Sequence, residues 1–408
     1  MTFFRIALGN LRRNSRRTVS TLLAILIGVT MIVFVNGFNS GLYNSWARGI
    51  INGSDGHFKL RHKDYEDNAS TNMEKILIAD PASLEAELRK NPHVVGVMPR
   101  IRFGGLVGQE NKSTPFFGAA ADVSVLHQVL PDNGEIIVAG ENLNSDDPMG
   151  ALLGKRLAEN LDVKVGDELV ILSNSIYAEQ TAIVINVKGL VSIPGAADFE
   201  AMFLTTGIKQ VQNDLLDMGS GATELVVRID DDDNLEAVIA SVNRNFEEIG
   251  QPWVADPWYS DKMFQQVTGM FKGIGLVISI ILSLIVGIVI SNALMMSVFE
   301  RIREIGTLRA IGTEKKQVYK IFYSEAFLTT VFGILLGLLL GSILIWITGK
   351  TGITMPGEGG EPVTIHPEIQ LSNLISSSAL PIVVTMVAVW FPIKSSCKMN
   401  IVDALNFR

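Results

Sequence analysis

TVSTLLAILIGVTMIVFVNGFNSGLYNSWA, residues 18–47, is thirty residues long and carries no charge. A bilayer core takes roughly 20 apolar residues in helical form, so this run can cross it. The next such runs come only at 273–299, 326–349 and 369–393. More than two hundred polar, acidic residues separate the first from the second. Helices built on these runs are placed at 18–47, 271–299, 322–349 and 371–393. The expected fold is therefore an α-helical membrane protein with four transmembrane helices. It holds a large extracytoplasmic α+β domain, residues 48–270, between its first span and its last three. The first run is too long for a signal peptide and has no small-x-small cleavage site before Trp46, so it is read as retained.

The formal net charge of −8 hides a segregation that orients the chain. Residues 43–270 hold 34 of the 42 acids but 18 of the 34 bases, a local net charge of −16. Bases dominate elsewhere: Arg5, Arg12, Arg13, Arg16 and Arg17 at the start, Arg301, Arg303, Arg309, Lys315, Lys316 and Lys320 between the second and third spans, and Lys394, Lys398 and Arg408 in the tail. The positive-inside rule puts segments 1–17, 300–320 and 394–408 in the cytoplasm. The acidic domain and the short loop 350–370, with Glu358, Glu361 and Glu368, then lie outside. Such an acidic face argues against nucleic acid as a partner. The single cysteine, Cys397, falls on the cytoplasmic side, so the outer domain depends on its core rather than on disulfides.

Within 48–270, strand-like and helix-like segments alternate. GHFKLRH (56–62) alternates as a strand does, and 81–90 reads as a helix with Asp80 as N-cap and Pro81 at its first position. Segment 94–107 is strand-like, interrupted by Pro99 and the Gly104–Gly105 pair, and 122–130 is a short helix. In the middle, a helix over 152–160 precedes β-rich runs at 168–172, 181–193 and 201–204, and a helix over 207–216 closes the section. Then come a strand at 223–229 and an amphipathic helix at 235–248, with Leu235, Val238, Ile239, Val242 and Phe246 on one face. This predicts a βαβ-type module, built from about 50–130 and 222–265, that flanks an inserted β-rich module at about 131–221.

Candidate functional residues concentrate after the second span, in FERIREIGTLRAIG (299–312). Ile302, Ile305, Leu308 and Ile311 recur at near-helical spacing among charges, and Gly312 breaks the pattern. Such a helix either lies on the membrane surface or inserts into a groove on a cytoplasmic partner, and composition leaves both open. In the third span Gly333, Gly337 and Gly341 form a double small-x-x-x-small series, expected to pack helices closely, within the protomer's own bundle in preference to a contact with a second protomer. Ser279, Ser283, Ser291 and Asn292 are polar groups in the second span; the serines are expected to bond back to their own helix, which leaves Asn292, with Asn36 of the first span, as functional candidates.

Chemistry-bearing motifs are otherwise sparse. No G-x-x-x-x-G-K-[ST] loop occurs: Gly349-Lys350-Thr351 comes nearest, but Leu344 stands where the first glycine belongs. His57 and His62 are five apart on a strand, poor geometry for zinc, and Asp230 to Asp233 lack the glycine and glutamate of a calcium loop. No catalytic residue and no metal site is expected.

The residues of the 300–320 loop also carry a resemblance. Arg303-Glu304-Ile305-Gly306, Leu308-Arg309-Ala310-Ile311-Gly312, Glu325 and the Gly333/Gly337/Gly341 series resemble the signature of the FtsX-like, MacB-type ABC transporter permeases, and the layout is closest to the lipoprotein-releasing LolC/LolE branch. The start, ALGNLRR (7–13) with RTVST (17–21), looks like that family's N-terminal amphipathic helix. The end, from Pro392 through Asp403-Ala-Leu405, resembles its C-terminal signature, with Ile401 in place of the usual proline. The resemblance implies a bacterial inner-membrane permease subunit that binds no cofactor itself, with ATP and Mg held by a separate cytoplasmic ATPase dimer. It implies coupling to that ATPase through Glu300, Arg303, Glu304, Gly306, Arg309 and Gly312, and a second permease protomer, identical or different. Asn36, Phe38, Tyr43 and Asn292 are the residues expected to admit a lipid-anchored cargo, with a periplasmic carrier or adaptor beyond. Alternatives are export of a drug, peptide or haem through an adaptor and outer-membrane channel, or regulation of a cell-wall hydrolase with nothing transported.

Overall fold

A computed structural model describes residues 15–69, 71–109, 112–134, 137–192, 197–300, 302–310, 312–356 and 362–397. The amphipathic helix expected over 1–17 therefore lies largely outside the described residues, as does the tail with Ile401 and Asp403. The chain divides into two compact units. One comprises Met1–Asn44, Gln266–Thr354 and Thr364–Arg408; the other comprises Ser45–Gln265 and Met355–Val363.

The helical unit is organised by four helices long and apolar enough to cross a membrane. They belong to helices Ser15–Ile50, Lys262–Glu300, Lys315–Thr351 and Leu371–Cys397, of 36, 39, 37 and 27 residues. At 1.5 Å per residue the first three are each about 55 Å long, well beyond a hydrocarbon core of about 30 Å. Helical geometry thus continues past the apolar runs. The third helix begins at Lys315, ahead of its apolar stretch, and ends where Gly352 takes φ 71° and donates its N–H to the Thr348 carbonyl. A buried seam of Ile25, Val29, Val33, Val286, Ile290, Leu294, Phe322, Ala326, Ile334 and Val389 joins the four helices.

The second unit is built on two sheets that share a strand. β1 (Phe58–His62), β2 (Val94–Gln109), β9 (Glu224–Ile229) and β10 (Trp253–Pro257) pair antiparallel in the order β10-β1-β9-β2. Helix Pro81–Leu88 connects β1 to β2, and helix Leu235–Glu248 connects β9 to β10. This is a split βαβ arrangement. Local chemistry sets the helices: the Asp80 side chain accepts from Ser83 N–H ahead of Pro81, and the five apolar residues predicted on the face of 235–248 are its buried ones. Asn243 pins that helix to β10, accepting from Ala255 N–H at 2.7 Å.

β2 continues past this sheet. With β3 (Lys112–Ala121), β5 (Gly150–Gly154), β6 (Glu168–Asn174), β7 (Gln180–Val191) and β8 (Phe203–Gly207) it closes a ring, β2-β3-β8-β5-β7-β6-β2, and β4 (Ile137–Gly140) pairs antiparallel with β7. The interior holds Ile101, Phe103, Val107, Phe116, Leu153, Ile171, Ile185 and Leu204. The β-rich module is therefore a closed barrel that recruits residues upstream of the 131–221 segment expected to form it.

Two readings of the sequence change here. Pro99 and the Gly104–Gly105 pair do not interrupt the strand, because β2 exchanges its neighbours along its length. Gly105 is needed where β6 crosses: a Cβ there would sit 2.0 Å from the Leu172 carbonyl oxygen. Residues 152–154 are strand rather than helix, and the helix spans Lys155–Leu161. Their apolar run is consumed by the barrel wall, which periodicity alone cannot separate from a buried helix turn.

Candidate functional site

The loop after the second span forms a helix, Ile302–Ala310. Ile302 and Gly306, one turn apart, are buried, while Arg303 and Thr307 are exposed on another face, with the Thr307 hydroxyl donating to the Arg303 carbonyl at 2.9 Å. Glu300 is exposed at the end of the preceding helix. Gly312 takes φ 102°, which turns the chain toward the third helix. The side chains of Glu304 and Arg309 lie outside the described residues, as does Ile311.

Gly333, Gly337 and Gly341 lie against the first helix. A Cβ built on each would meet Ile25 Cβ at 2.7 Å, Val29 Cβ at 2.7 Å and Val33 Cβ at 2.8 Å respectively. The numbers rise together, so the first and third helices run parallel. The close approach also lets the Thr30 hydroxyl donate to the Gly337 carbonyl at 3.3 Å. Ser283 bonds back to the Ser279 carbonyl of its own helix at 2.7 Å.

The residues proposed to admit cargo separate. Asn36 donates its amide to Ser377 Oγ at 2.9 Å, and its carbonyl accepts from Asn373, which also donates to Ser40 Oγ at 2.6 Å. Asn44 donates to Glu368, and the Glu368 N–H donates to the Gly37 carbonyl. Asn36, Ser40 and Asn44 are four apart, so they form one polar stripe along the first helix, matched by Asn373 and Ser377 on the fourth. That spacing is legible in the sequence, and it assigns Asn36 a partner inside the bundle. Phe38 and Tyr43 are half-buried, with the Lys272 ammonium 5.1 Å from the Tyr43 ring centroid. Asn292 does not belong with them. A Cβ on Gly28 would touch Val286, and one on Gly275 would touch Asn39, which fixes the antiparallel register of the first two helices. By that register Asn292 is level with residue 22, about 21 Å along the axis from Asn36.

The sequence reading missed a buried ion cluster within the second unit. The chain leaves the first helix through a π-turn, Ile51–Asp55, and Gly56, whose φ of 63° suits glycine. Arg100 donates to Glu224 Oε1 at 2.6 Å, to Asp55 Oδ1 at 2.7 Å and to the Ser54 carbonyl. Arg102 donates to Glu224 Oε1 at 3.0 Å and also to Asp55, and Lys59 reaches Asp55 Oδ2 at 3.0 Å. Side-chain exposure is 4% for Arg100 and 1% for Glu224. These charges alternate with Phe58, Leu60, Ile101 and Phe103, so in sequence they read as a solvated strand face. The π-turn covers that face, which only the folded chain reveals.

Burial alone would raise the Glu224 carboxyl, but the charges of Arg100, Arg102 and Lys59 overrule it and hold it down to about 2. A depressed carboxyl stabilises the fold fully above its unfolded value, here 4.5, and loses that share as pH falls through its folded value. The second unit is therefore expected to lose up to about 3 kcal/mol from this group between about pH 4.5 and pH 2. Denaturant titrations at a series of acid pH values check this, and Glu224→Gln should flatten that part of the profile.

His57 and His62 are placed apart. His57 accepts from Ile229 N–H through Nδ1 and faces Asp232 through Nε2 at 2.8 Å, whereas His62 stands edge-on to Trp253. Burial holds the His57 imidazole below its usual range despite the Asp232 carboxylate.

Two family profiles cover most of this architecture. Residues 18–245, more than half of the chain, match the MacB-like periplasmic core domain, and residues 276–401 match the FtsX-like permease C-terminal domain. The chain is an ABC transporter permease of the MacB–LolC family. The permease is 22% identical over 422 residues to the lipoprotein-releasing system transmembrane protein LolC of Neisseria meningitidis, covering 96% of this chain and 94% of that one. It is 23% identical to an uncharacterized ABC transporter permease of Methanocaldococcus jannaschii, covering 98% and 96%. Similarity to the macrolide export ATP-binding/permease protein MacB of Aggregatibacter actinomycetemcomitans is 25%, over 83% of this chain and 52% of that protein, so the permease spans about half the length of this relative. Among solved structures, the periplasmic region of MacB from Actinobacillus actinomycetemcomitans aligns with 53% of the chain and 95% of its own length, at 16% identity and a TM-score of 0.37. Membership implies a cytoplasmic ATPase partner and a permease pair.

Proposed function

We propose that this permease couples ATP hydrolysis by a separate cytoplasmic ATPase dimer to motion of its periplasmic domain, and so releases lipoprotein or other lipid-anchored cargo from the outer leaflet of the bacterial inner membrane. The observation that carries this reading is the 39-residue helix Lys262–Glu300. It follows on the turn that ends the split βαβ module, and it ends two residues before helix Ile302–Ala310 begins. A push on the short helix, in this reading, passes along the second long helix toward the outer domain. In this reading 300–312 seats in a groove of the ATPase, the basic segments and both termini face the cytoplasm, and the chain itself binds no ATP or Mg. The second permease chain completes the path, and a periplasmic carrier receives the cargo. Phe38 and Tyr43 line the way in for the lipid anchor, while Asn36 is spent on the fourth helix.

The near-complete alignment with LolC favours lipoprotein release. The match of 18–245 to the MacB-like core supports a second reading, export of a drug, peptide or haem with an adaptor and outer-membrane channel. Purification with the partner ATPase distinguishes them: the cargo class that stimulates hydrolysis identifies the transporter. Arg309→Glu is expected to lower co-purification of the ATPase and its stimulation at least tenfold. Unchanged complex formation and stimulation in that variant would remove 300–312 as the coupling segment.

A further inference from the structure

The exit of the first helix is gripped residue by residue. Asn52 Oδ1 accepts from Arg228 of β9 at 3.1 Å, the Gly53 carbonyl accepts from Asn133 at 3.5 Å, the Ser54 carbonyl accepts from Arg100, and Asp55 takes Arg100, Arg102 and Lys59. Three adjacent strands, β1, β9 and β2, thus hold one turn of chain.

From these contacts we infer that Asp55, with Arg100, Arg102, Glu224 and Lys59, forms a rigid joint that makes the end of the first helix and the β1-β9-β2 sheet one body. Charge-assisted bonds in a buried site are strong and directional, so rotation of the π-turn against the sheet would break several at once. These five are positioning residues, and their role rests on the ATP-coupled reading: they fix the sheet to the end of the first helix. Helix Ser15–Ile50 reaches the joint without a break.

The test measures stiffness of the joint without nucleotide, so its failure is read separately from failure of the transport reading. In full-length Cys397→Ser permease in nanodiscs, spin labels go on Gly49→Cys and Ser113→Cys, both exposed positions. The wild-type joint should give a narrow distance distribution. Asp55→Asn should widen it at least twofold while amide exchange of β2 and β9 stays protected. If Asp55→Asn abolishes that protection, the paired variant Asn52→Ala, Lys59→Met removes two grips and leaves the carboxylate in place, and it should widen the distribution to a lesser degree. A folded variant of either kind whose distribution matches the wild type overturns the joint.

Discussion

Glu224→Gln is expected to destabilise the outer domain by about 3–5 kcal/mol, the usual cost of removing one partner from a buried ion cluster. The amide cannot neutralise Arg100 and Arg102, which both donate to Glu224 Oε1 and are left sharing Asp55. Replacing the whole cluster by apolar residues would be far milder, since buried pairs contribute little net stability once desolvation is counted. The measurement is amide exchange of β2 and β9 in the full chain, where the openings should rise by roughly a hundredfold or more. Lys59→Met serves as the comparison, because Lys59 touches only the second oxygen of Asp55. Equal effects of the two substitutions would count against Glu224 as the keystone.

Gly337→Val should disrupt the bundle. Even a methyl group at 337 would lie 2.7 Å from Val29 Cβ and 3.1 Å from the Leu26 carbonyl oxygen, so the first and third helices must separate. Overpacking of this kind costs about 1–3 kcal/mol, and the Thr30 bond to the Gly337 carbonyl goes with it. The expected result is a lower melting temperature in mild detergent, with partial recovery on adding Val29→Ala. Gly273→Val is the control, because nothing approaches that glycine within 4 Å. A loss that Val29→Ala leaves untouched would mean the glycine serves something other than this contact.

Both predictions concern contacts between segments far apart in the chain, and they mark where sequence reasoning stopped. The four spans were legible because hydrocarbon admits only long uncharged helices, and helix 235–248 was legible because its periodicity repeats over fourteen residues. The glycine series was recognisable as a packing face, but its partners Ile25, Val29 and Val33 carry no mark of their own. Asn36, Ser40 and Asn44 do carry one, a four-residue spacing that puts them on a single helix face. Asn292 is set apart by the sequence itself: it stands toward the end of the second span away from the 48–270 domain, whereas Asn36 stands toward the end of the first span that adjoins it.

The barrel and the ion cluster share one cause of concealment. β2 is a single strand of sixteen residues that serves two sheets, and nothing local distinguishes its two halves. Arg100 and Arg102 alternate with Ile101 and Phe103, as they would on any half-exposed strand. Their burial depends on a π-turn supplied by residues 51–55, about 45 positions earlier.

The amino-acid sequence by itself determined the spans, their alternation with one large acidic domain, and the family, because solvent partitioning and local periodicity act on each segment separately. Tertiary structure alone decided which strands close the barrel, which polar groups pair across helices, and that Asp55, Lys59, Arg100 and Glu224 are buried together beside the half-buried Arg102. Those outcomes are set by long-range register, which no single segment encodes.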